Sequence, residues 1–143
     1  MKKLRLILSA IVILACIFTA PVLAGENSWT YHTLMAGDTA IAAGHAYSAT
    51  TTVITITPQD VGYFGTQFSV LGDGTGKLYY QASYDGTNYV EPEGGGIVFS
   101  GITSASGTQY TQFGPHFSKY IKFIIEETGD ANAITPTCYL LVK

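Results

Sequence analysis

Leu78-Tyr79-Tyr80-Gln81-Ala82-Ser83-Tyr84-Asp85-Gly86-Thr87-Asn88 is the stretch on which the fold turns. Leu78, Tyr80, Ala82 and Tyr84 fall on one side of an extended chain, Lys77, Tyr79, Gln81 and Ser83 fall on the other, and Asp85 to Asn88 then supplies turn residues. Side chains on a strand alternate with a period of two, so this pattern puts Tyr80 and Tyr84 in a core and Tyr79 on the opposite face. A helix would scatter the same residues around its circumference.

The alternation recurs outward in both directions. Thr52, Ile54 and Ile56 alternate with Thr55 and Thr57, Thr66, Phe68 and Val70 with Gln67 and Ser69, and Ile121, Phe123 and Ile125 with Lys122 and Glu126. Between such runs stand Pro58-Gln59-Asp60, Gly72 to Gly76, Glu93 to Gly96, Ser104 to Thr108, Gly114-Pro115 and Gly129 to Asn132, turn chemistry spaced roughly every 8 to 15 residues as in a sandwich. Only Ala36 to Ala46 approaches helical composition, and Gly37 and Gly44 leave it room for a turn or two. The pattern predicts an all-β fold: an antiparallel β-sandwich of jelly-roll type with about eight strands. Trp29 and Tyr31 predict an early first strand. The last, Thr137 to Val142, is expected at or near a sheet centre, because an apolar terminal strand at an edge invites uncontrolled pairing.

The N-terminus reads differently. Lys2, Lys3 and Arg5 precede an apolar run from Leu6 to Phe18, and Val22-Leu23-Ala24 carries the small residues a signal peptidase needs, so residues 1–24 are expected to be a cleaved signal peptide and 25–143 a single domain. The apolar run is shorter than the roughly 20 residues of a membrane-spanning helix. A second reading takes Ile13-Leu14-Ala15-Cys16 as a lipoprotein-type box, for which Leu14 is bulky and which would leave apolar Ile17 to Leu23 on the product. The expected location is secreted, at the cell surface or outside it, with the periplasm as an alternative. Loss of the three leading cations takes the formal charge from −3 to −6 and leaves four Lys and no Arg. Such a chain is a poor partner for nucleic acid or anionic lipid, which demand clustered Lys and Arg, so no nucleic-acid partner is expected. Cys138 would stand alone, in register with Leu140 and Val142, as a buried thiol that cannot form an intrachain disulfide.

No residue cluster forces a chemistry. Gly72-Asp73-Gly74-Thr75-Gly76-Lys77 fails as a phosphate loop, because its spacing is wrong, no Ser or Thr follows the Lys, and a strand rather than a helix comes next. His32, His45 and His116 are too scattered for a transition-metal site. Glu91 with Glu93, and Glu126 with Glu127, are the acid pairs a glycoside hydrolase would need, yet the first flanks Pro92 and the second points to opposite sides of a strand, so no enzyme is expected. Asp73, Asp85, Asn88, Asp130 and Asn132 lie in Gly-containing turns and offer calcium the hard oxygen ligands it uses; the alternative is that each satisfies its own backbone. No other cofactor is indicated. Tyr79, Tyr89 and Trp29 are candidate ligand-binding aromatics, since such rings suit both sugar stacking and protein interfaces.

The run Leu78 to Tyr89, followed by Phe113-Gly114-Pro115-His116-Phe117-Ser118-Lys119-Tyr120-Ile121-Lys122-Phe123, resembles the second half of discoidin-like (galactose-binding-like) jelly rolls and is similar to β-sandwich modules of phage virion and bacterial surface proteins. The resemblance covers about half of the expected domain and implies a fold that binds or assembles rather than catalyses. The discoidin disulfide frame and Arg residues are missing, so no glycan-binding loop carries over. The expectation is a structural or assembly subunit whose partners are itself or other envelope proteins. A carbohydrate-binding or adhesive module with a glycan partner is the alternative.

Overall fold

A computed structural model describes residues 30–55, 63–115 and 118–142, with the backbone only for 47–55. The expected signal peptide, Trp29, Ile56, the turn at Pro58 and His116 lie outside the described residues. Among the described residues eight strands form: β1 (Thr30–Ala36), β2 (Ala46–Thr55), β3 (Phe64–Leu71), β4 (Gly76–Ser83), β5 (Ile97–Ile102), β6 (Gln109–Phe113), β7 (Tyr120–Glu127) and β8 (Thr135–Val142). A 3-10 turn, Ser104–Ser106, links β5 to β6.

The chain pairs as one long hairpin. β1 runs antiparallel to β8, β2 to β7, β3 to β6 and β4 to β5. Rolling that hairpin adds the antiparallel pairs β3 with β8 and β4 with β7. The outcome is two four-stranded sheets, a first sheet in the order β1-β8-β3-β6 and a second in the order β2-β7-β4-β5. This is the antiparallel jelly-roll sandwich that the alternation predicts.

The core lies between the sheets. From the first sheet come Phe64, Phe68, Val70, Cys138, Leu140 and Val142, and from the second Leu78, Tyr80, Ile121, Phe123 and Ile125, all buried. Phe64 and Phe113 of the first sheet meet Tyr80 and Phe123 of the second in one aromatic cluster with centroid separations of 5.6 to 6.3 Å. Phe68 stacks on Phe99 at 5.7 Å. In β1 the register slips between Thr33 and Met35, a bulge that turns the consecutive Leu34 and Met35 both inward. The Ala36 to Ala46 region forms a loop held by paired backbone bonds between Ile41 and Ile134.

As expected, β8 is an inner strand and Cys138 is fully buried; burial pushes its thiol up to about 12. Tyr84 departs from the inward placement. It lies beyond β4 and is 71% exposed, because the chain leaves the sheet at Ser83, which is buried and starts the turn. The alternation therefore ends at Ala82, and the Asp85 turn sets the direction of the chain beyond it.

Candidate functional site

Two faces and two ends of the sandwich hold every sequence-predicted site residue that the structure describes. On the outer face of the second sheet, Lys77 and Tyr79 of β4 stand beside Glu126 and Ile124 of β7. Lys77 Nζ lies 4.6 Å over the Tyr79 ring and 3.4 Å from Glu126 Oε2. Partial burial, then the negative charges of Glu126 and Glu91, raise the Tyr79 hydroxyl above its ordinary pKa. Tyr89, in the β4–β5 loop, carries Lys122 Nζ 5.6 Å over its ring. Of the three predicted stacking residues, the two described thus present rings already faced by an ammonium group, a contact that competes with a sugar for the same π surface.

Asp85 and Asn88 sit at the Ser83 end of the second sheet. Asp85 Oδ1 accepts from the Thr87 and Asn88 amides, both at 2.8 Å, and from Ser83 Oγ at 2.9 Å, while Oδ2 accepts from Asn88 Nδ2 at 2.7 Å. The Asn88 and Thr87 amides, with the Asn88 and Ser83 side chains, hold this carboxyl far below the usual carboxylate range. The carboxylate builds the turn at the end of β4.

Asp73, Asp130 and Asn132 lie at the other end, where Gly76 pairs with Glu127. The five turn acids and amides therefore divide between opposite ends of the sandwich. Among the described residues no three His, Cys, Asp or Glu side chains gather as a metal site.

What organises that second end is Glu127, only 1% exposed. Its Oε1 accepts from the amides of Thr75 at 3.0 Å and Gly129 at 2.7 Å, and its Oε2 from those of Gly44 at 2.7 Å and Asp130 at 3.1 Å. One anion thereby joins the β1–β2 loop, the β3–β4 turn and the β7–β8 turn. Only a carboxylate offers that many acceptor sites with no donor among them. The Thr75 and Gly44 amides, supported by Gly129 and Asp130, lower the carboxyl pKa against the upward pull of burial. Gly74 must be glycine here: a Cβ would meet the Asn132 carbonyl oxygen, Ile134 Cγ2 at 2.7 Å and Glu127 Oε1 at 2.9 Å.

Glu126 and Glu127 face different surroundings, one the half-buried Lys77 and the other a nest of amides, and do not form an acid/base pair. Glu91 Oε1 accepts a long bond, 3.4 Å, from the Gly96 amide, and Glu93 is exposed. His32 is partly buried, which lowers its pKa, and His45 is exposed on a loop.

The outer face of the first sheet has a different character. Its strands, TYHTLMA, TPTCYLLV, FGTQFSVL and QYTQF, contain no Asp, Glu, Lys or Arg. Tyr31, 60% exposed, stacks on Tyr139 with centroids 5.5 Å apart and planes 27° from parallel. Across Gln67, Tyr110 is 63% exposed, accepts from Gln112 Nε2 at 3.1 Å and lies over Gly65, whose absent Cβ would stand 3.0 Å from the Tyr110 hydroxyl. Tyr63 and Leu71 are also exposed. The result is a neutral sheet surface of tyrosine rings, amides and hydroxyls. The sequence signal for this face is that four segments far apart in the chain all lack ionised residues, which becomes informative only once they share one sheet.

Among the described residues no helix is long and apolar enough to cross a membrane. No protein-family model and no curated protein matches the chain. Among solved structures it is similar to a carbohydrate-binding module from Cellvibrio mixtus lichenase 5A in complex with cellotriose, at 17% identity over 82% of this chain and 88% of that one, with a TM-score of 0.41. It is also similar to Bacillus endospore appendages described as disulfide-linked pili, at 12% identity over 87% of this chain and 96% of that one, with a TM-score of 0.29. At these values the function of either is no guide to this chain.

Proposed function

We propose that this protein is an exported, non-catalytic β-sandwich that serves as an assembly subunit at the cell surface, and that it associates through the outer face of the first sheet. The observation that carries the reading is the complete lack of ionised side chains in the four strands of that sheet, combined with the exposure of Tyr31, Tyr63, Leu71 and Tyr110. Desolvating this face removes no charge from water, and tyrosine gives large contact area at low entropy cost. The carboxylates with lowered pKa values, Glu127 and Asp85, hold loops through backbone amides and have no proton to give near neutral pH. Light scattering coupled to size exclusion tests the proposal. The purified chain is expected to form oligomers at micromolar concentration, and Tyr31→Glu combined with Gln67→Glu to form smaller ones. A wild-type monomer at every concentration overturns it.

A carbohydrate-binding function draws on the same face, favoured by the stacked Tyr31 and Tyr139 rings beside the exposed amides of Gln67 and Gln112. A neutral polyhydroxyl polymer matches a neutral surface of rings and amides. Retardation on a polysaccharide gel that Tyr31→Ala abolishes, in a chain that stays monomeric, would favour this second function over assembly.

A further inference from the structure

We propose that β6 is the strand through which two copies of this chain join, Gln109–Phe113 of one running antiparallel to the same segment of the other about a twofold axis at Thr111. The proposal rests on the assembly reading and adds the partner and the register. A sandwich has four edge strands, here β1 and β6 in the first sheet and β2 and β5 in the second. An open edge offers unpaired backbone groups to another chain, and folded proteins obstruct such edges with bulges, charges or proline.

Three of the four are obstructed. β1 carries the bulge between Thr33 and Met35. In β2 the register breaks between Ser48 and Val53, five residues along β2 against two along β7. β5 slips twice against β4, and Gly101 within it has φ +72°. β6 differs: its five residues pair with β3 in unbroken register, Phe113 with Phe64 through Gln109 with Phe68, and the strand contains no charge and no proline. Among the described residues no strand pairs with its outer edge.

The strand is also complementary to itself. A twofold at Thr111 sets Thr111 opposite Thr111, and Tyr110 of each copy opposite Gln112 of the other. Within one copy these side chains already bond, Gln112 Nε2 donating to Tyr110 Oη at 3.1 Å, and both are exposed on the outer face. Pairing repeats that contact across the seam, where threonine pairs are favourable and no like charges meet. Two first sheets would then form one eight-stranded sheet with a continuous neutral outer face, closed by twofold symmetry.

A charge exchange across the seam tests the register. Tyr110→Lys with Gln112→Lys sets ammonium opposite ammonium twice, whereas Tyr110→Glu with Gln112→Lys sets opposite charges together twice. Both double variants lose the Tyr110 ring over Gly65, so the cost to the fold is shared, and far-ultraviolet circular dichroism of each monitors it. Sedimentation equilibrium of the full chain, expressed with its own N-terminal segment, is expected to show the lysine pair raising the dimer dissociation constant at least about tenfold over the glutamate–lysine pair. Equal association of both folded variants with wild-type assembly intact overturns the β6 interface and leaves assembly standing. A monomeric wild type overturns both.

Discussion

Phe113→Ala probes whether the edge strand is held by the core or merely by its ladder. Among the described residues β6 pairs only with β3, yet its Phe113 ring reaches Phe64 at 5.6 Å, Tyr80 at 5.7 Å and Phe123 at 6.2 Å, two of them in the opposite sheet. Each aromatic pair adds about 0.5 to 1.5 kcal/mol beyond burial. Complete Phe→Ala truncations in cores cost about 3 to 5 kcal/mol, and because Phe113 is partly exposed the low end, about 3 kcal/mol, is expected. Against a total of about 5 to 15 kcal/mol for a domain of this size, that loss is large. At about 4 °C per kcal/mol it lowers Tm by about 12 °C. Urea unfolding followed by circular dichroism should show a lower midpoint at an unchanged slope. Hydrogen exchange should accelerate first in β6, since the strand would open before the sandwich does. A fall in Tm of less than about 2 °C would refute the reasoning, because it would mean that backbone pairing to β3 holds β6 without the ring.

Glu127→Gln keeps the size of the side chain but turns an amide NH2 toward two of the four amides, so the variant should unfold at lower temperature and urea concentration; wild-type stability would show that the loops close without the anion. Because the folded carboxyl has a lowered pKa, its contribution is present above the ordinary value of 4.5 and is lost as pH falls through the folded value. Wild-type Tm should accordingly fall on acidification below about pH 4.5, more steeply than that of Glu127→Gln, and parallel curves would remove Glu127 as the cause. Tyr79→Ala with Tyr89→Ala should leave both oligomeric state and polysaccharide retardation unchanged, since Lys77 and Lys122 face those rings; loss of either property would move the site to the second sheet. Treatment with EDTA followed by calorimetry should leave Tm unchanged, given that the candidate calcium ligands divide between two ends and the Asp85 carboxylate is occupied by its own turn. A downward shift would establish a structural cation.

The architecture was readable from period-two alternation because strands such as β3, β4 and β7 bury their apolar side chains mainly on one face, and that asymmetry is written locally into Phe68 and Val70, Leu78 and Tyr80, and Ile121, Phe123 and Ile125. The inner position of β8 was readable for the same reason, from an apolar run that an edge could not safely carry. Local sequence failed at Tyr84, where the turn built by Ser83 and Asp85 overrides the alternation. The role of Glu127 was hidden more deeply. Its bonds to Gly129 and Asp130 are two and three residues away, but those to Thr75 and Gly44 span 52 and 83 residues, so beside Glu126 it reads as half of an acid pair. Neighbours along the chain suffice to say that β3, β4, β7 and β8 are strands, which of their residues turn inward and that charge is scarce. That the four uncharged strands share one sheet, and that β6 keeps the unbroken edge, is a tertiary outcome, because rolling a long hairpin brings β1, β3, β6 and β8 together from across the whole chain.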